Sequence, residues 1–164
     1  MSNLIETIHL VDEIYKAQNI LARSDFIAPT EIALANDLRT SEDETLWLSS
    51  EIHQSIKAYK IRGAANKIIQ LARDDRKLAL VAASAGNHAQ AVALMARELH
   101  IPATIVMPSN TPDFKVAKVD SFASKRTKVI LEGETYDDSE AYAEYLAKQQ
   151  DLSMIYPFND PLVI

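Results

Sequence analysis

The feature that most limits the fold of this chain is the alternation in its second half between short apolar runs and amphipathic stretches. Residues 78–83 (LALVAA) form an unbroken apolar run, the pattern of a strand covered on both faces. Helical spacing follows over 87–99. Then come a strand at 103–108 (ATIVMP), a helix at 113–124, a strand at 128–133 (KVILEG), a helix at 138–150 and a fourth strand at 153–158 (SMIYPF). Short strands separated by helical segments of about 10–15 residues build βαβ units. The predicted class is therefore α/β, a parallel sheet with helices on both faces and right-handed crossovers.

The first half is less regular. Ile5, Ile8, Val11, Ile14, Tyr15 and Ala17 recur on one side of a predicted helix over 5–21. After Pro29, Thr30 is placed to cap a second helix running to about Leu38. RTSEDE is a polar turn, and TLWLS alternates as a short strand in which Trp47 is expected to pack. From Tyr59 to Arg73, Ile61, Ala64, Ala65, Ile68, Ile69, Leu71 and Ala72 follow helical spacing.

A chain of 164 residues suffices for one domain with a sizeable core, or a domain plus a fragment. Its formal net charge of −6 carries no basic arm, which argues against nucleic acid as a partner, because such binding rests on Lys/Arg contacts with phosphates. There is no cysteine, so disulfides, thiolate metal sites and a thiol nucleophile are excluded, and a reducing compartment fits. No stretch approaches the ~20 apolar residues of a membrane span, and the acidic N-terminus lacks a signal-peptide pattern. The expectation is a cytoplasmic protein without a membrane partner. His9, His53 and His100 show no metal-ligand spacing, so no metal is expected. Glu132, Glu134, Asp137 and Asp138 are expected to solvate a loop and cap a helix.

Two segments carry candidate chemistry. The apolar run at 78–83 stops at Ser84-Ala85-Gly86-Asn87-His88, where the next helix begins. In an open parallel sheet ligands bind beyond the carboxyl ends of strands, and a helix start offers free N–H groups and the positive end of a dipole. One reading is an anion pocket for a carboxylate or phosphate; the other is a tight turn with Asn87 as cap. A serine-hydrolase elbow is disfavoured because Ala82 stands where it needs glycine, and a Walker loop because no Lys-Ser or Lys-Thr follows. Upstream, Lys60 opens a helix beside Tyr59, with Gly63 one turn on. Taken alone it reads as a solvated lysine with its stem over apolar neighbours.

Together the strings Tyr59-Lys60-Ile61-Arg62-Gly63-Ala64 and Ser84-Ala85-Gly86-Asn87-His88-Ala89-Gln90 resemble the threonine dehydratase (threonine ammonia-lyase) and serine racemase group, which belongs to the tryptophan-synthase-β-like, fold type II pyridoxal phosphate enzymes. The resemblance continues through ATIVMP, Lys118-Val119-Asp120, Val129-Ile130-Leu131 with Gly133, and Tyr136-Asp137-Asp138, to Tyr156-Pro157-Phe158-Asn159-Asp160-Pro161. It implies that pyridoxal 5'-phosphate is the cofactor, held as a Schiff base by Lys60, with Tyr59 and Asn87 also contacting it. It implies that Ser84, Ala85, Gly86, Asn87 and His88 grip the substrate carboxylate. The freed lysine removes the Cα proton, and loss of the β-hydroxyl of threonine or serine leads to a 2-keto acid and ammonia. The implied partners are a small amino acid and either a second copy of the chain or a complementary C-terminal half. Lys57, three residues before Lys60, would lower the lysine's pKa by like-charge repulsion if the helix reached back that far.

The chain departs from the family pattern. Ile56-Lys57-Ala58 replaces a Thr-Gly-Ser string, Ser49-Ser50-Glu51 replaces Lys-x-Glu, Arg23-Ser24-Asp25-Phe26 replaces Arg-Thr-Pro-Leu, and Lys125-Arg126-Thr127 replaces a small-residue turn. The family runs to roughly twice this length, and its later half carries a glycine-rich phosphate loop. The expected division is 1–50 as an N-terminal fragment of the larger domain, 51–152 as the small α/β domain, and 153–164 as the return into the larger domain. Two functions stand side by side: an ammonia-lyase, or a related racemase, completed by a missing half, and an inactive or regulatory truncated relative.

Overall fold

The computed structural model describes residues 2–163, with side chains from Leu10 onward; Ile5 and Ile8, expected on the apolar side of the first helix, lie outside the described side chains. The elements are α1 (Ser2–Ala22), β1 (Glu31–Leu34), β2 (Trp47–Ser50), α2 (Lys60–Asp74), β3 (Leu80–Ala83), α3 (Asn87–Glu98), β4 (Ala103–Met107), α4 (Asp113–Asp120), β5 (Thr127–Leu131), α5 (Tyr136–Gln150) and β6 (Ser153–Met154).

β3 to β6 form one parallel sheet in the order β5-β4-β3-β6. All four residues of β3 are buried, as its apolar run requires, and the strand's alternation divides them between two cores. Leu80 and Ala82 join Ile61, Ala64 and Ile68 of α2, with much of α3, on one face. Val81 and Ala83 join Val106 and Ala143 and Leu146 of α5 on the other. The sheet is thus covered on both sides, as the alternation predicts. α5 opens with a capping box in which Thr135 accepts from the Asp138 backbone N–H and Asp138 reaches back, so Asp138 caps the helix as expected.

The second predicted helix is not formed. Residues 31–34 are instead a strand paired antiparallel with β2, Glu31 opposite Ser50 and Leu34 opposite Trp47, followed by a 3-10 turn at Asn36–Leu38. Thr30 donates to Glu51 Oε1 at 2.7 Å rather than capping a helix. Trp47 does not pack; it is 59% exposed on this two-stranded hairpin, and Ile32 and Leu34 are exposed beside it. The apolar positions Val11, Ile14 and Tyr15 of α1 are exposed as well. β6 is shorter than the predicted 153–158, because the carbonyls beyond it are taken by side chains of α2 and α3.

The run to α2 also differs. The helix starts at Lys60, and Lys57 lies outside it, exposed and at φ +55°, so the expected shared helical face does not exist. This left-handed backbone is cheap for glycine and costs an L-residue about 1–2 kcal/mol. The family's glycine therefore answers a real backbone demand that Lys57 meets under strain. Lys57→Gly is expected to raise stability by about 0.5–1 kcal/mol after the entropy gained by the unfolded chain is deducted. Urea unfolding of the two chains reads this directly, and a lowered midpoint would contradict it.

Candidate active site

The strand order places the site. The chain runs outward from β3 to β4 and β5, then returns to the other side of β3 as β6. The crevice at such a reversal, beyond the carboxyl ends of β3 and β6, is where open α/β sheets bind ligands. The Ser84–His88 loop leaves β3 there, and residues 155–158 leave β6.

Ser84 N–H donates to Val106 O at 3.0 Å, continuing the ladder by one bond, and its Oγ accepts from Gly86 N–H at 3.2 Å. A side chain at Gly86 would meet nothing within 4 Å, so the approach to the α3 N-terminus is open over this residue. The first N–H groups of α3 have no partner within the helix and carry its positive dipole end. Asn87 is exposed, while His88, one residue on, is buried.

His88 Nε2 lies 2.8 Å from Ile155 O. A carbonyl only accepts, so Nε2 bears the hydrogen and the buried Nδ1 lone pair is without a partner. Burial is the main cause pushing this imidazole down to about 4, aided by the charges of Lys60 and Lys67 and opposed by the Ile155 bond and Asp160. The ring is neutral at physiological pH, and it is occupied in holding the β6 exit.

Two residues along that exit, Lys60 Nζ donates to Pro157 O at 2.8 Å. The same amine lies 4.7 Å from the Phe158 ring centroid and 5.4 Å from that of Tyr59, positions that favour a cation. Lys60 and His88 thus converge on one stretch, 155–157, from α2 and α3. The cleft beside Lys60 has a volume of about 560 Å³ and is walled by Tyr59, Gly63, Pro157, Phe158 and residues of α1. Its lining contains none of residues 84–88. Ser84, Ala85, Gly86 and Asn87 stand together on their own loop, joined to Lys60 through His88 and the β6 exit.

Arg62, which sits in the Lys60 string, ties the hairpin to α2: it binds Glu51 through Nε at 3.0 Å and donates to Ala28 O at 3.0 Å. Burial pushes the Glu51 carboxyl up, but hydrogen bonds from Thr30 and Arg62 and the Arg62 charge outweigh it and hold it below the usual carboxylate range. The sequence gives no role to Lys67 or Asp160, which form a largely buried ion pair behind the β6 exit. The only local signal is that Lys67 stands seven residues after Lys60, on the same stripe of α2.

Lys60, an open helix terminus and a reversal of strand order stand together where open α/β sheets bind ligands, and comparison with known proteins gives the family. The family described as pyridoxal-phosphate dependent enzyme matches residues 23–164, and the chain belongs to it. It is 39% identical to an L-threonine ammonia-lyase of Thermotoga maritima over 154 residues, 94% of this chain and 37% of that protein. It is 42% identical to a biosynthetic L-threonine dehydratase of Haemophilus influenzae over 119 residues, 73% of this chain and 23% of that one. Among solved structures, the processed threonine deaminase isoform 2 of Solanum lycopersicum superposes with a TM-score of 0.83 at 32% identity, covering 94% of this chain and 42% of that one. Maize serine racemase gives 0.81 at 30%, covering 93% and 45%. The chain spans less than half the length of each. Among the described residues, no helix is long and apolar enough to cross a membrane.

Proposed function

We propose that this chain supplies the lysine and the carboxylate loop of a pyridoxal-phosphate-dependent ammonia-lyase acting on L-threonine or L-serine. The observation that carries the reading is the convergence of Lys60 and the 84–88 loop, through His88, on the β6 exit at the sheet's reversal point. The residues present fit the cofactor. Lys60 offers a primary amine on the wall of an open cleft, Asn87 an exposed amide for the ring oxygen, and Gly86 an unobstructed helix start.

When bound, the cofactor supplies an aldehyde carbon for the amine and a ring that spreads negative charge from the substrate's α-carbon. The protein's own part is to bind and to move protons. The free N–H groups at the start of α3 and Ser84 Oγ hold the substrate carboxylate. Lys60, released from its carbonyl, accepts the Cα proton. His88 keeps the loop and the β6 exit in register without being charged. Loss of the β-hydroxyl as water and hydrolysis of the product then give a 2-keto acid and ammonia. The likeness to maize serine racemase supports a second reading, inversion at Cα, which uses the same lysine.

Incubation with pyridoxal phosphate, borohydride reduction and peptide mass analysis test the assignment. The expected label is on Lys60 and disappears in Lys60→Ala. A label elsewhere, or none, overturns it and leaves the inactive reading. With a complementary C-terminal half added, keto-acid formation from threonine separates the lyase from the racemase.

A further inference from the structure

We propose that Lys67 and Asp160 are positioning residues for the Lys60 amine: their largely buried ion pair latches residues 154–163 across α2, and the latched segment parks Lys60 on the Pro157 carbonyl. The inference rests on the reading of Lys60 as the reactive lysine.

Three residues of α2 take hold of this segment, Lys60 and Lys67 from one stripe of the helix and Asn66 from beside it. Lys60 donates to Pro157 O at 2.8 Å, Asn66 Nδ2 to Leu162 O at 2.9 Å, and Lys67 Nζ to Met154 O at 2.7 Å. Lys67 Nζ also binds Asp160 Oδ2, with 13% and 8% of the two side chains exposed. Asp160 shapes the turn that follows: its Oδ1 accepts from Leu162 N–H at 3.1 Å and its carbonyl from Val163 N–H at 2.9 Å. The chain reverses just before it, at Asn159 with φ +52°, a conformation asparagine tolerates better than most residues.

Pro157 is therefore fixed from both sides. Upstream, Lys67 and His88 hold the carbonyls of 154 and 155; downstream, Asp160 is pinned to the same Lys67. Lys60 and Lys67 lie two helical turns apart, about 10 Å along the axis, so one rigid helix sets both ends of the arrangement. Among the described residues, the one hydrogen bond of the Lys60 amine goes to Pro157 O, and the Phe158 and Tyr59 rings stand beside it. Breaking the ion pair leaves one buried charge unpaired. The segment then loosens, the carbonyl withdraws, and Lys60 becomes a freer nucleophile pointing in no fixed direction.

Trace acetic anhydride labelling of the 164-residue chain, quantified lysine by lysine, reads this without any cofactor. In the wild type, Lys60 is expected to acetylate about tenfold more slowly than the exposed Lys148. Asp160→Asn and Lys67→Met are expected to bring Lys60 close to the Lys148 rate, while Lys148 itself is unchanged. Lys67→Arg, which restores the charge, is expected to return Lys60 most of the way to the wild-type rate. Asp160→Asn keeps an oxygen for Leu162 N–H and carries the test if Lys67→Met does not fold. Circular dichroism confirms that each variant is folded. An unchanged Lys60 rate in a folded variant, or a uniform rise across all lysines, overturns the latch. A latch-dependent rate in a chain that never takes the cofactor label retains the latch and removes the lyase reading instead.

Discussion

Alanine at position 63 is expected to destabilise the chain by about 2–3 kcal/mol and to lift residues 160–163 off α2. At an ordinary helix position the sign would be opposite, since glycine inside a helix costs about 1 kcal/mol relative to alanine. Here a Cβ on Gly63 would stand 2.0 Å from Val163 O and 2.9 Å from its Cα. Both are backbone atoms, with no flexible end to swing aside, so one of the two chains must move. The helix is held by Ile61, Ala64, Ala65 and Ile68 in the main core, which leaves the 160–163 turn to yield. Its displacement would pull Leu162 O from Asn66 and strain the Lys67–Asp160 pair. Urea unfolding should show a lower midpoint, and the amide of Val163, bonded to Asp160 O, should exchange faster. A stabilised Gly63→Ala chain would mean that this segment does not cross α2 in solution. The glycine of the Lys-x-Arg-Gly string is thus a packing requirement one turn beyond the lysine, and it serves the segment that parks that lysine.

The parts of the fold legible in the sequence are those decided by local pattern. β3 announces itself because every one of its residues is buried, so polar side chains have no place in it. The helices on its two faces follow because each must cover one side of that strand. The loop after β3 is legible for the same reason: where the apolar run stops, the strand ends and the chain turns into α3. The region 30–38 differs because Pro29 and Thr30 make a good local helix start, while the strand is chosen by a partner 13–19 residues away, in the pairing of Leu34 with Trp47 and Glu31 with Ser50. The shortening of β6 was not legible either. Its outer carbonyls are claimed by Lys60, Lys67 and His88, from 67 to 97 residues upstream. Spacing within a window cannot show such contacts, and the resemblance, which singles out Lys60 and the 84–88 loop, says nothing of the ion pair that orders them.

Acidification from pH 6.5 to about 4 is expected to remove up to roughly 3 kcal/mol of stability through His88 alone. The sign follows from which state takes up the proton. In the unfolded chain an imidazole titrates near its ordinary 6.5; in the fold it is held down to about 4, first by burial and then by the charges of Lys60 and Lys67, against Asp160 and the Ile155 carbonyl. Between those values the unfolded chain is protonated and the fold is not, so each step down in pH favours unfolding. Above 6.5 the group is neutral in both states and the contribution is complete. Glu51, whose carboxyl is held below its usual range, adds its loss only further down, so the two windows separate. His88→Gln keeps a side-chain N–H for Ile155 O and should flatten the slope between pH 6.5 and 4.5 while leaving the steeper acid limb in place. A wild-type chain already flat across that window would mean an imidazole open to water, contrary to its 3% exposure. The same proton bears on the site. A doubly protonated ring would carry an unpartnered Nδ1–H in the core and set a third positive charge beside Lys60 and Lys67, on the stretch of chain that positions the amine. Loss of stability and release of Lys60 from Pro157 should therefore share one midpoint, read by urea unfolding and by acetylation of Lys60 normalised to Lys148 at each pH.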